Sequence, residues 1–182
     1  ASVILEHSWT EIFSGEIITL RCDIQEGEGT QWTYEWTRDK LDLHSTHRKD
    51  SSIRVYGSHS REYRCRGIRN ELTTEWSEFL RWTVSDRPRA SLRADKTVIP
   101  AGGSVTLTCS VDVSSGWKYY WFRRTSESSV GQPINDQSDT VSVSEGGIYQ
   151  CIGGRGDPEF YTYSSSEVTI KETGEFITFR IS

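Results

Sequence analysis

Two stretches decide the fold when one is laid over the other: SGEIITLRCDI at residues 14–24 and AGGSVTLTCSV at residues 101–111. Cys22 falls on Cys109 at an offset of 87, and the text downstream stays in step. Trp36 of YEWTRD (34–39) meets Trp121 of YYWFRR (119–124) at 85, and Tyr63 and Cys65 of REYRCRG (61–67) meet Tyr149 and Cys151 of GIYQCIG (147–153) at 86. TEWSEFLRWTV (74–84) pairs more loosely with TYSSSEVTIK (162–171). A repeat of this length signals two copies of one domain. The seam falls near Ser85-Asp86-Arg87-Pro88, where the proline cannot donate to a ladder and holds Arg87 toward extended backbone. This reading places domain 1 at 1–86, domain 2 at 87–171 and a tail at 172–182 that does not read as the start of a third copy.

Inside each copy the apolar residues alternate. Ile18, Leu20, Cys22 and Ile24 interleave with Thr19, Arg21 and Asp23, as Val105, Leu107, Cys109 and Val111 do with Thr106, Thr108 and Ser110. Period two is the mark of a half-buried strand. Further short runs end on Trp36 and Trp121, on Val55 and Val143, and on Cys65 and Cys151, with Gly, Ser, Asp and Asn between them. No amphipathic helix is visible. The fold class is therefore all-β, two tandem antiparallel sandwiches.

Composition agrees and excludes other classes. The 182 residues carry 21 Lys and Arg against 26 Asp and Glu, a formal charge of −5, which argues against a generic nucleic-acid binder. Seven Trp, eight Tyr and six Phe supply large core area although only 34% of residues are apolar. No apolar run approaches the roughly 18 residues of a membrane span, and no leader is visible at Ala1, so an anchor, if one exists, is expected outside these residues. The absence of an Asn-x-Ser/Thr triplet predicts a surface bare of N-linked sugar.

The four cysteines, at 22, 65, 109 and 151, allow three pairings and show no CxxC. An even count at wide spacing predicts structural disulfides and an oxidising, extracellular compartment. A Cys followed by a Trp and then by Tyr-x-Cys is the signature of an immunoglobulin domain, in which strands B and F are bridged across two sheets and the Trp of strand C packs on the bridge. Here Trp follows Cys by 14 and 12 residues, and Tyr63 and Tyr149 stand two before the second cysteines. The repeat selects Cys22–Cys65 and Cys109–Cys151, with Trp36, Tyr63, Trp121 and Tyr149 in the cores. Gaps of 43 and 42 residues leave no room for long C′ and C″ strands, so the expected domains are compact and constant-like.

SWTEIFSGEIITLRCDIQ (8–25), WTYEWTRD (32–39), SHSREYRCRG (58–67) and TEWSEF (74–79) resemble the membrane-distal domain of teleost Fc receptor-like proteins and leukocyte immune-type receptors. VIPAGGSVTLTCSVDVSSGWKYYWFRR (98–124) and YQCIGGRGDPEFYTYSSSEVTI (149–170) resemble their second domain, and Trp76-Ser77 is similar to the Trp-Ser motif on strand G of Fc receptors and killer-cell Ig-like receptors. One departure is Arg61, where related sequences carry a small residue. The resemblance implies a leukocyte surface receptor, without enzymatic activity or cofactor, that binds immunoglobulin Fc or MHC class I. Signalling would run through an adaptor or tail outside these residues. It also implies that second-domain loops hold the ligand, here 114–119 and 153–161.

The candidate contacts are Trp117, Lys118, Arg123, Gly154, Arg155, Gly156, Asp157, Glu159 and Phe160. Trp117 serves equally well as internal packing. Arg155-Gly156-Asp157, at an expected hairpin tip among glycines, carries a second reading as an integrin-binding adhesion motif. Arg64 and Arg66 share one face of strand F, and with Arg69, Arg81, Arg87, Arg89 and Arg93 they form either a patch that steers an acidic partner or a plain solvated face. Gly27 and Gly29 read as the turn between strands B and C. His44, His47 and His59 sit in polar loops without a scaffold, so no metal site is expected. No nucleophile elbow and no phosphate-binding loop is present.

Overall fold

The computed structural model describes residues 1–6, 11–25, 31–42, 45–57, 61–113 and 115–173. Among the described residues it is built of strands without α-helices, as two immunoglobulin-like sandwiches with one disulfide each. The chain divides into two compact units between Arg87 and Pro88, one residue past the seam read from the repeat. The segment Gly156–Phe160 groups with the first unit.

Domain 1 runs β1 (Ser2–Leu5), β2 (Ile12–Phe13), β3 (Ile17–Asp23), β4 (Thr33–Arg38), β5 (Leu41–Asp42), β6 (Asp50–Arg54), β7 (Arg61–Arg69), β8 (Leu72–Thr73), β9 (Leu80–Trp82) and β10 (Val84–Ser85). One sheet is β1-β3-β6, and the facing sheet is β5-β4-β7 with β8 and β9 on β7. β2 pairs in parallel with β10. The alternation read from the sequence holds on β3, where Ile18, Leu20 and Cys22 are buried and Ile17, Thr19 and Arg21 are half-buried. Cys22 and Cys65 are joined, and Trp36 stands opposite Cys65 in the β4–β7 register. Tyr63 stacks on Trp82 at 4.9 Å between ring centroids.

Domain 2 repeats the plan. Its strands are β11 (Ser91–Ala94), β12 (Val98–Ile99), β13 (Val105–Ser110), β14 (Lys118–Arg124), β15 (Gln132–Ile134), β16 (Thr140–Val143), β17 (Gly147–Arg155), β18 (Phe160–Tyr161) and β19 (Val168–Glu172). The sheets are β11-β13-β16 and β12-β19-β17-β14-β15, with β18 on β17. Cys109 and Cys151 are joined, and Trp121, fully buried, stands opposite Cys151. The indole of Trp121 donates to the Ser138 carbonyl at 2.9 Å. The Tyr149 hydroxyl donates to the Glu145 carbonyl at 2.6 Å, closing the tyrosine corner. Burial raises the Tyr149 phenol above its ordinary value, and Arg123 beside it works in the opposite direction. The C′ strands are two and three residues long, the compact form expected.

The loosely matching text after β7 and β17 conceals the closest structural match. Ser77 Oγ accepts from the Cys65 amide at 3.0 Å, and Thr74 Oγ1 accepts from the Gly67 amide at 3.0 Å. In domain 2 Ser165 Oγ accepts from Cys151 and Thr162 Oγ1 from Gly153, both at 3.0 Å. Each hydroxyl then donates to the carbonyl of the next residue in its own segment. The same four residues donate their backbone amides to the carbonyls of Gly67, Cys65, Gly153 and Cys151, so the side chains replace only the accepting half of a ladder, and four strand amides find partners.

Candidate binding surface

Trp117 precedes β14, and its side chain turns into its own domain. The indole donates to the Val113 carbonyl at 3.1 Å, and its ring lies where a Cβ on Gly153 would meet Cε3 at 3.3 Å. The Arg155 guanidinium caps the ring at 4.5 Å and reaches the Ser115 carbonyl at 3.3 Å. Domain 1 has the same unit in Trp32, Gly67 and Arg69: a Cβ on Gly67 would stand 3.0 Å from Trp32 Cε3, and Arg69 lies 5.8 Å from the ring. A Trp resting on a strand-F glycine and covered by an Arg is a repeated packing element.

This corrects the placement of several expected contacts. Arg155 is 2% exposed, so the Arg-Gly-Asp tripeptide does not display its arginine, although Gly156 and Asp157 are exposed. Gly154 is buried on β17. Phe160 is 5% exposed and belongs to the first unit, where its ring stacks with Phe13 at 6.2 Å under the Arg87 guanidinium at 5.2 Å. Arg123 holds the turn before β17, with Nε and Nη2 on the Gly146 carbonyl at 3.0 and 2.6 Å and Nη1 on Glu145 at 3.1 Å. Lys118 is exposed at the start of β14, and Glu159 is half-buried. Of the nine candidates, Lys118, Gly156 and Asp157 are the ones fully at the surface.

The surface next to Lys118 carries residues that the sequence reading passed over. Because Trp121 points into the core, Tyr120 and Phe122 stand on the opposite face of β14. They lie in register with Ile152 and Gln150 of β17, and all four are half-buried. Tyr161, 43% exposed, meets Tyr120 edge to face at 5.9 Å. Tyr163 is 52% exposed, with the Arg89 guanidinium 5.5 Å from its ring. Arg124 and Glu167 pair at the edge of this face. The alternation in KYYWFRR and in FYTY was sufficient to find these aromatics once Trp121 was assigned to the core.

The equivalent face of domain 1 is charged. Trp76 lies between Arg64 at 4.6 Å and Arg66 at 4.4 Å, and Phe79 lies between Arg64 at 4.8 Å and Arg81 at 5.8 Å. Arg66 binds Glu35 at 2.6 Å, and Arg81 binds Glu62 at 2.8 Å. Arg64 and Arg66 do share a face, as alternation predicts, but they are stacked on rings rather than freely solvated. His47 contacts Thr33 at 3.4 Å, while His44, His59, Gly27 and Gly29 lie outside the described residues. Among the described residues no three His, Cys, Asp or Glu side chains form a group that could hold a metal ion.

Comparison with known proteins bears on domain 2 most directly: residues 89–173 match the model of the immunoglobulin domain family. No curated protein matches the chain. Among solved structures, the human OSCAR ligand-binding domain is 17% identical with a TM-score of 0.43, covering 93% of this chain and 97% of its own. The fibronectin(III)-like modules of Clostridium thermocellum CbhA are 10% identical with a TM-score of 0.45, covering 93% and 94%. The three N-terminal domains of the bacteriophage RB49 outer capsid protein Hoc are 14% identical with a TM-score of 0.49, covering 94% and 59%.

Proposed function

We propose that this chain is the ligand-binding part of a leukocyte surface receptor of the Fc receptor-like kind, and that its domain 2 recognises immunoglobulin Fc, IgM first among the classes. The observation that carries the reading is the aromatic outer face formed by β14 and β18. Tyr and Trp supply much of the energy at protein interfaces because they bury large area at little entropic cost. Tyr120, Phe122 and Tyr161 form such a cluster, and Lys118 at its margin offers a charge for steering and register. The immunoglobulin fold, the disulfides and the resemblance of residues 98–124 and 149–170 to second domains of that receptor family support the same placement. Signalling then depends on an anchor and adaptor outside these residues, and no chemistry is performed on the ligand. With Arg155 buried, adhesion through the Arg-Gly-Asp tripeptide has no comparable support.

Surface plasmon resonance against IgM of the same species, with MHC class I as reference, tests the reading. Saturable IgM binding that falls at least tenfold in Tyr161→Ala and severalfold in Lys118→Ala is the expected result. No IgM binding at tens of micromolar overturns it, and binding to MHC class I alone reassigns the ligand.

A further inference from the structure

We propose that the outer face of the β5-β4-β7 sheet in domain 1 docks a protein partner that presents a carboxylate, and that Arg64 receives it. This site lies in the other domain and does not rest on the Fc reading.

The first argument is the balance of charge. Three guanidinium groups share the Trp76 and Phe79 rings. Arg66 has Glu35 and Arg81 has Glu62, at 2.6 and 2.8 Å. Arg64 has no carboxylate among the described residues. Its one hydrogen bond among the described residues runs from Nε to Thr37 Oγ1 at 3.3 Å. Both Nη groups are left to donate to an outside oxygen pair. A planar guanidinium meets a carboxylate through two parallel N–H···O bonds, which gives direction as well as energy.

The second argument is preorganisation. Arg64 is held between the Trp76 ring at 4.6 Å and the Phe79 ring at 4.8 Å, with Thr37 fixing Nε. A long side chain already confined loses less freedom when a partner binds. The surrounding surface has the composition of a binding hot spot, arginine beside half-buried aromatic rings. A third argument comes from the repeat. Position 64 aligns with Gln150 in domain 2, so the fold does not require a cation at this place.

The experiment pans a phage-displayed library of random peptides, about twelve residues long, on the whole chain and then measures the enriched peptides one by one. The expected outcome is enrichment of Asp or Glu beside apolar residues. Affinity should fall at least tenfold in Arg64→Gln and on replacing the peptide's acid by its amide, severalfold in Arg64→Lys, and not at all in Tyr161→Ala. Arg64→Lys keeps the positive charge and loses only the fork, so it carries the test if Arg64→Gln fails to fold by calorimetry. Enriched peptides without acids, no enrichment, a smaller loss in a folded Arg64→Gln, or full affinity in Arg64→Lys when that variant alone folds would overturn the proposal.

Discussion

Glu35, Arg64 and Arg66 occupy in domain 1 the places that Tyr120, Gln150 and Ile152 occupy in domain 2. Behind them Trp36 and Cys65 occupy the places of Trp121 and Cys151. The buried rows are almost interchangeable, and the outer rows share no residue type. Packing, the disulfide and the tyrosine position constrain the inner face of each sheet. Nothing in the fold constrains the outer face, so its divergence is where two copies of one domain acquire separate uses. Even inside, the match is incomplete. The indoles of Trp117 and Trp121 find carbonyl acceptors in domain 2. The indole N–H groups of Trp32, Trp36 and Trp82 in domain 1 are buried without a hydrogen-bond partner among the described residues.

The largest way to break the comparison is to remove a disulfide. Each closes a loop of 43 or 42 residues, which the chain-entropy model values at about 4 kcal/mol. Cys22→Ala/Cys65→Ala and Cys109→Ala/Cys151→Ala should therefore each cost their own domain that amount in denaturant unfolding. A gap of several kcal/mol between the two pairs would show that the inner faces are not equivalent.

Next comes the Trp-Gly-Arg element. Trp32→Ala and Trp117→Ala should each cost about 2–3 kcal/mol, below the roughly 3–5 kcal/mol of a core aromatic truncation because both rings are only part-buried. Calorimetry should place the loss in domain 1 for the first and in domain 2 for the second. If Trp117→Ala leaves the melting temperature unchanged, the ring is not a packing element.

A smaller effect separates the outer faces. Arg64→Gln should cost domain 1 about 1 kcal/mol through its two ring contacts, while Gln150→Ala should change domain 2 by less than about 0.5 kcal/mol. Equal effects in chemical denaturation would erase the distinction.

The smallest effect is alkaline. Burial raises the phenols of Tyr149 and Tyr119 in domain 2 and of Tyr34 in domain 1 above their ordinary value of 10.0. Folding favours the neutral form, so this contribution is complete below the unfolded tyrosine value and is lost as pH rises through the folded one. Denaturation midpoints should hold steady to pH 9 and decline above pH 10, with domain 2 showing the larger share. A midpoint that rises above pH 10 would reverse the sign.

Much of this was legible in the text. Cysteine, tryptophan and tyrosine spacing named the sandwich, and alternation assigned each buried face. Three features were hidden for physical reasons. The hydroxyls of Thr74, Ser77, Thr162 and Ser165 bond to backbone amides of the neighbouring strand, a contact that leaves no periodic trace. Arg155 looked exposed because a three-residue motif was read without its repeat. Setting Trp117 and Arg155 against Trp32 and Arg69 points instead to a pair packed on each other. Tyr120 and Phe122 on the outside of β14 were passed over, although strict alternation from Trp121 puts both on the outer face.

The hydroxyl relay beside β7 and β17 also bears on solubility. A regular strand there would present a row of amides and carbonyls at which another chain could continue the sheet. The stretches Thr74–Phe79 and Thr162–Glu167 give β7 and β17 four backbone amides, and in return side-chain hydroxyl oxygens stand where backbone carbonyls would. Between β8 and β9, and between β18 and β19, they follow an irregular path apart from one bridge residue, Tyr163. In domain 2 the outer side of Tyr163 is already taken, its amide donating to the Pro88 carbonyl and its carbonyl accepting from the Ala90 amide, so along either stretch an incoming strand meets an irregular path and not an open row in register.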